Sequence, residues 1–251
     1  MLRNLLKSRA PAPPPEIPPG RRIYAIGDVH GCAHLLDRLL AAIDADDAGR
    51  EPAATTLIFL GDLVDRGPDS AEVVARVLGL HEERPDVRLL LGNHEEVFLA
   101  ALDGDPRALK LFTRIGGRET AISYGIAPAA YESMSYDELA AALAAAVPPD
   151  HRTFLAGGTE MEIIGDYAFV HAGVRPGRPF DQQQGTDLRW IRDSFLHHRT
   201  RMEKIVVHGH TICEEVEFRP HRIGVDTGAY QSGKLSALAL EGDRSWALVG
   251  R

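Results

Sequence analysis

The chain is poor in cysteine, in aromatic residues and in long apolar runs, and it carries no cationic excess. Cys32 and Cys213 are its two cysteines, too few for a disulfide framework, so a reducing, cytoplasmic setting is expected. No apolar run reaches the roughly 20 residues that span a bilayer, which argues against stable membrane insertion. Net charge is −8. Without a global cationic field, a nucleic-acid partner is not expected. With 251 residues, 44% hydrophobic and 25% charged, the composition is that of a globular protein able to bury one large core.

What is present begins with proline. Pro11-Ala12-Pro13-Pro14-Pro15-Glu16-Ile17-Pro18-Pro19-Gly20 suits neither helix nor central strand, so residues 1–20 are expected to form a mobile, Pro-rich tail. Ahead of it, Leu2, Leu5 and Leu6 alternate with Arg3, Lys7 and Arg9 but lack the apolar core of a signal peptide. Residues 21–251 then read as one catalytic domain. Strand–helix alternation is expected first: Arg22–Ile26, Ala33–Ala45, Thr56–Leu60, Ser70–Leu80, Val87–Leu91 and Glu95–Leu102, with Leu35, Leu36, Leu39, Leu40 and Ile43 at helical spacing. Repeated βα units imply an α/β fold with a parallel sheet buried on both faces. Residues 103–150 read as a helical insertion. Strands resume near 161–164, 168–171, 204–207, 222–226, 235–240 and 245–249; the 222–226 strand and the final pair are expected to complete a second, antiparallel sheet.

Each apolar strand runs into a loop of metal-ligand residues. These are Gly27-Asp28-Val29-His30-Gly31, Gly61-Asp62-Leu63-Val64-Asp65-Arg66-Gly67, Gly92-Asn93-His94-Glu95, His171-Ala172-Gly173 and His208-Gly209-His210-Thr211. Asp, Asn and His gathered at strand ends suit two divalent ions and in-line attack on phosphorus. Asp62 is the candidate bridge between the ions. Asp28 and His30 reach one ion, and Asn93, His171 and His210 supply the other. A water bridging the ions, acidified to hydroxide, is the expected nucleophile. Arg66 and Arg192 are phosphate clamps, and His94, oriented by Asp65, protonates the leaving group. His208 reads as a supporting strand-end residue. Gly116-Gly117-Arg118 reads as a structural turn in preference to a substrate contact, and Tyr230 is a candidate to face the site.

In this order the motifs resemble the signatures of the serine/threonine phosphoprotein phosphatase family, within the calcineurin-like metallophosphoesterases, and most of all its compact bacterial and phage members. The resemblance runs from about Arg21 to the C-terminus. It implies a four-layer α/β/β/α sandwich, with Asp28, His30 and Asp62 on one ion and Asp62, Asn93, His171 and His210 on the other. Arg66, Asn93 and Arg192 would then contact phosphate, and His94 with Asp65 would be the general acid. Manganese is the usual ion of such members, with iron, zinc or nickel as substitutes. The implied activity is phosphomonoester hydrolysis, on a phosphorylated protein or a small phosphate ester. The alternative is a nucleotide hydrolase similar to the symmetrical diadenosine tetraphosphatases. Those tend to carry Ala where this chain has Asp65.

Overall fold

The computed structural model describes residues 14–251; the basic stretch ahead of the proline run lies outside them. Elements β1 (Arg21–Ile26), α1 (Ala33–Ala48), β2 (Ala54–Phe59), α2 (Ser70–Glu83), β3 (Val87–Leu89) and α3 (Asn93–Leu102) alternate. Five helices follow: α4 (Pro106–Ile115), α5 (Gly117–Ser123), α6 (Pro128–Ser133), α7 (Tyr136–Ala146) and α8 (Pro149–Ala156). Then come β4 (Met161–Ile164), β5 (Tyr167–Val170), α9 (Gly185–Trp190), α10 (Asp193–Leu196) and β6 (Ile205–His208). The chain continues through β7 (Glu217–Arg219), β8 (Arg222–Gly224), α11 (Ala229–Ser232), β9 (Leu235–Glu241) and β10 (Arg244–Gly250). Among the described residues no helix is long and apolar enough to cross a membrane.

The strands make two five-stranded sheets, ordered β10-β9-β1-β2-β3 and β4-β5-β6-β8-β7. Neighbours β1, β2 and β3 are parallel, as are β5, β6 and β8. Alternate side chains sort the layers. On β1 and β2, Tyr24, Ile26, Leu57 and Phe59 pack with Leu36 and Leu39 of α1 and Val73 and Val77 of α2. Their neighbours Ile23, Ala25, Ile58 and Leu60 meet Phe169, Val207 and Ile223 of the second sheet. Ala168, Val170 and Val206 then turn outward to Leu188 of α9 and Phe195 of α10. Each central strand is buried on both faces, which is why its sequence is continuously apolar, and the result is an α/β/β/α sandwich.

Three expectations change. The final hairpin does not complete the second sheet: β9 pairs antiparallel with β1 and extends the first sheet, whereas β8 joins the second, parallel to β6. Period-two patterning gives the faces of a strand and not its neighbour. The helix after β3 starts at Asn93, so Asn93 and His94 occupy its first turn and not the strand end. The described end of the proline segment, residues 14–20, is packed against the body. Ile17 is fully buried and lies in the core between the sheets. Its N–H donates to Gly242 O (2.8 Å) in the β9–β10 turn. Glu16 N donates to Asp166 Oδ2 (3.0 Å) in the β4–β5 turn. Proline excludes regular pairing without excluding a strap with one apolar anchor.

Ile17→Ala is expected to lower stability by about 2–5 kcal/mol, the range for truncating a buried aliphatic side chain. Denaturant midpoints of the two proteins measure this, and unchanged midpoints would mean the strap contributes nothing to closing the sandwich.

Candidate metal centre

Both sheets deliver their loops to one point. The loops after β1 and β2 and the first turn of α3 come from one sheet, and those after β5 and β6 from the other. At the centre is Asp62, buried. Its Oδ2 lies 3.4 Å from His171 Nε2, 3.6 Å from His30 Nε2 and 3.9 Å from His94 Nε2. Two groups with mutually close ligand atoms share it: His30, Asp62 and His94, and Asp62, His171 and His210.

The tautomers are set by hydrogen bonds on the far side of each ring. His171 Nδ1–H donates to Leu60 O (2.8 Å) and His30 Nδ1–H to Val64 O (2.8 Å), because a carbonyl only accepts. Each Nε2 lone pair therefore faces inward. That of His171 meets Asn93 Oδ1 at 2.9 Å, His210 Nδ1 at 3.2 Å and Asp62 Oδ2 at 3.4 Å. Four electron-rich atoms thus converge on one spot that favours a cation. Burial works against charging His171, but the charge of Asp62, its hydrogen bond and Asp28 outweigh it and push the imidazole up to about 10. A proton is drawn to the spot where a metal ion would sit. His30 Nε2 and His210 Nε2 are buried without partners, and burial lowers both rings to about 3, leaving neutral ligand nitrogens. The donor set fits two divalent ions, with Asp62 common to both groups of ligand atoms.

The backbone around it is strained. His30, Asp62, Asp65, Arg66 and His210 are the described non-glycine residues with positive φ, and all five belong to this site. Glu95, given no role from sequence, is a main restraint: its carboxylate accepts from Asp62 N (2.7 Å), Leu63 N (2.8 Å) and Gly92 N (3.0 Å). A Cβ at Gly92 would come within 2.2 Å of Asp62 Oδ1, so that position admits only glycine. Burial, with repulsion from Asp62, pushes Glu95 up to about 7.

Asp28 stands outside the two close groups, its oxygens accepting from His210 N at 3.1 and 3.0 Å. Burial and then Asp226 hold its carboxyl well above the ordinary carboxylate range. Asp226 is a second buried acid, pushed up to about 6 chiefly by burial. A region with this many buried carboxylates calls for positive charge.

His94 Nδ1–H donates to Asp65 Oδ2 (2.7 Å), and Asp65 Oδ1 accepts from the Thr120 hydroxyl (2.6 Å). His94 Nε2 accepts from Arg66 (3.0 Å), a side chain with donors only. Tyr230 is 38% exposed, its ring 4.9 Å from the Arg66 guanidinium and 5.5 Å from the ring of His30. Arg192 is exposed, and its charge contributes to lowering His210. Arg189 instead pairs with Glu96 (2.8 Å) and with Glu160. Arg118 is turned to Glu132 (2.8 Å) and has no part in the cluster. His208 donates from Nδ1 to Gly209 O (2.9 Å) beside the loop of His210.

Fold and site together define a metallohydrolase built on a two-sheet sandwich with a dinuclear donor set. The sequence matches the calcineurin-like phosphoesterase family over residues 21–231, and the chain belongs to that family, whose members typically bind two divalent metals. It is 36% identical over 154 residues to the symmetrical bis(5'-nucleosyl)-tetraphosphatase of Acidovorax sp. (strain JS42), covering 61% of this chain and 44% of that protein. The chain thus aligns with less than half the length of that relative. With the asymmetrical bis(5'-nucleosyl)-tetraphosphatase PrpE of Anoxybacillus flavithermus it shares 28% identity over 236 residues, 85% of this chain and 88% of that one. A solved structure described as a candidate diadenosine tetraphosphatase superposes with a TM-score of 0.63 at 24% identity, over 92% of this chain and 94% of that one.

Gly116 closes the Arg66 loop: its carbonyl accepts from Arg66 N (3.0 Å), its φ is +110°, and an added Cβ would lie 2.7 Å from Arg66 N. Gly116→Ala is expected to destabilise by roughly 1–2 kcal/mol from the left-handed backbone alone and to displace Arg66. Turnover at saturating metal is expected to fall at least tenfold with metal content unchanged. Wild-type turnover in that variant would remove Arg66 placement from the argument.

Proposed function

We propose that the chain is a two-metal nucleotide hydrolase of the dinucleoside tetraphosphatase type. The observation that carries it is the pairing of an Asp62-centred donor cluster with Tyr230, an exposed aromatic face beside a phosphate-binding arginine. A phosphate chain needs the cations and Arg66; a nucleoside needs a flat apolar surface to stack on. The names of the relatives point the same way. A cytoplasmic setting, and 21–251 as one catalytic unit, belong to this proposal.

Asp28, His30, Asp62, Asn93, His171 and His210 would hold a pair of divalent ions, manganese being the proposed ion, which when bound would supply Lewis acidity and a more acidic water. The chain's own groups do the rest. Arg66 and Arg192 hold phosphate oxygens and offset developing charge. Asp65 fixes the His94 ring, whose Nε2 is directed to the leaving oxygen once Arg66 turns from it to phosphate. Burial opposes a charged His94, but Asp62 and the Asp65 hydrogen bond outweigh it, so its pKa stands above the ordinary value. The imidazole then has a proton to give.

Phosphoprotein hydrolysis, the reading first drawn from the motifs, is the second proposal. It is favoured by one observation, the Asp65–His94 dyad: an alkoxide leaving group is a strong base and needs a proton, whereas a phosphoanhydride releases a weakly basic phosphate.

Diadenosine tetraphosphate and a phosphothreonine peptide, assayed side by side with manganese, separate the two. Preference for the dinucleotide is expected; preference for the peptide would overturn the nucleotide reading. His94→Asn is expected to lower turnover of alkyl phosphates by about 100-fold or more while sparing p-nitrophenyl phosphate, in line with the weight of general acid catalysis. Equal losses on both would remove His94 from that role. Tyr230→Ala is expected to raise KM for the dinucleotide about tenfold, with kcat within twofold, as stacking worth 1–3 kcal/mol implies. A KM unchanged by the substitution would take Tyr230 out of binding.

A further inference from the structure

At the opposite end of the second sheet the charge pattern reverses. In a chain of net charge −8, a cleft of about 460 Å³ is lined by Arg199, Arg219, Arg222, His197, His198 and His221, and no acidic residue lines it. It sits where β8 begins and ahead of β6: Val206 N donates to His221 O (3.1 Å). The metal-ligand loops follow the other ends of these strands. From His221 to Asp226 extended chain spans about 16 Å, so the cleft is separate from the metal centre.

Two of its side chains are buried with unmet polar atoms. His221 and Arg222 are each 8% exposed, and His221 Nε2 and Arg222 Nε have no partner. Buried polar atoms are normally satisfied. Of the carboxylates around it, Glu217 bonds Arg219 (2.7 Å) and Arg222 (2.5 Å). Glu203 and Asp166 line an adjoining cleft with Arg199 and His221 without an ion pair to either among the described residues, so the first cleft itself keeps a surplus of positive charge. After burial itself, Arg222 and His198 contribute to depressing His221. The rings of His198 and His221 stand 5.8 Å apart at 90°. A metal is the wrong occupant. Both described groups with ligand atoms within 4.8 Å of one another lie at the Asp62 centre, and guanidinium groups repel cations.

We propose that this cleft is a second, non-catalytic anion site that takes a phosphate or short oligophosphate. Arginine forks match tetrahedral oxyanions and the imidazole N–H groups complete the donor set. The assignment uses no residue of the metal centre and stands whichever substrate that centre hydrolyses.

The test is calorimetric titration of the full chain with tripolyphosphate and, separately, inorganic phosphate. It is run on EDTA-stripped wild type and on Asp62→Asn, in which the catalytic site is disabled. One binding event of equal affinity in both proteins is expected. Arg199→Ser, a surface change, is expected to weaken it about tenfold, the effect of losing one charged hydrogen bond. His221→Gln is expected to weaken it as well, with thermal unfolding checked to confirm the fold. The response to each anion identifies which phosphate class the cleft prefers. No binding in the stripped protein, affinity unchanged by Arg199→Ser, or sulfate binding as tightly as tripolyphosphate would each overturn the proposal.

Discussion

The structure depends on keeping one carboxylate, Asp62, buried among three imidazoles. Left to burial alone it would be protonated; its interactions with His171 first, then His94 and His30, instead hold it well below its ordinary pKa. That arrangement requires Asp62 to sit with φ at +53°, a conformation most side chains avoid. Three N–H groups of the surrounding loops donate to Glu95, a second buried carboxylate. Asp62 Oδ1 in turn accepts from His94 N (3.0 Å). Strain in the loop is thus countered by hydrogen bonds to the first turn of α3. The same turn carries Asn93 and His94, so both side chains are positioned by one rigid element.

The two-sheet architecture follows from this demand. A single parallel sheet presents its loops along one edge line, and ligands arrive from one side. Facing a second sheet across the core of Ile23, Ile58, Phe169 and Val207 brings His171 and His210 against Asp62 from the opposite side. Four donor atoms then converge at about 3 Å, a density of lone pairs that folding alone would not favour. The energy comes from the apolar layers, since each central strand buries side chains on both faces. Helical residues 106–156 serve the same end. Phe98 of α3 stacks on Phe112 (5.6 Å) and Tyr124 (5.9 Å), while Thr120 reaches Asp65 and Ser70.

Much of this was legible in the sequence because the signals are local. An apolar run ending in Gly-Asp or Gly-Asn-His marks both a strand and what it presents, and the structure gathers those residues at one centre. What was not legible depends on partners distant in the chain. Thr120 lies 55 residues from Asp65, and nothing in its neighbourhood marks it as a hydroxyl donor. Glu95 stands inside a recognised motif, yet its work is done on the backbone of residues 62 and 63, which sequence cannot display. The sheet to which β9 and β10 belong is a question of strand neighbours, and alternation is silent on neighbours. Ile17 was masked by its prolines: composition described the segment, and one isoleucine decided where it packs.

The contact between Arg66 and His94 (3.0 Å) bears directly on the proposed acid role of His94. Arginine has no acceptor, so while Arg66 donates to Nε2 that nitrogen carries no proton, and the nearby positive charge further opposes protonation. A phosphate oxygen competes for the same guanidinium with a full negative charge, a stronger partner than a neutral imidazole. In the proposed mechanism Arg66 moves to phosphate and leaves Nε2, whose protonation Asp62 and Asp65 favour. In that mechanism the substrate's charge would prepare the acid that serves its leaving group. The coupling needs Arg66 in its left-handed turn, within reach of both partners. Gly116 holds that turn from behind, where a methyl group would not fit.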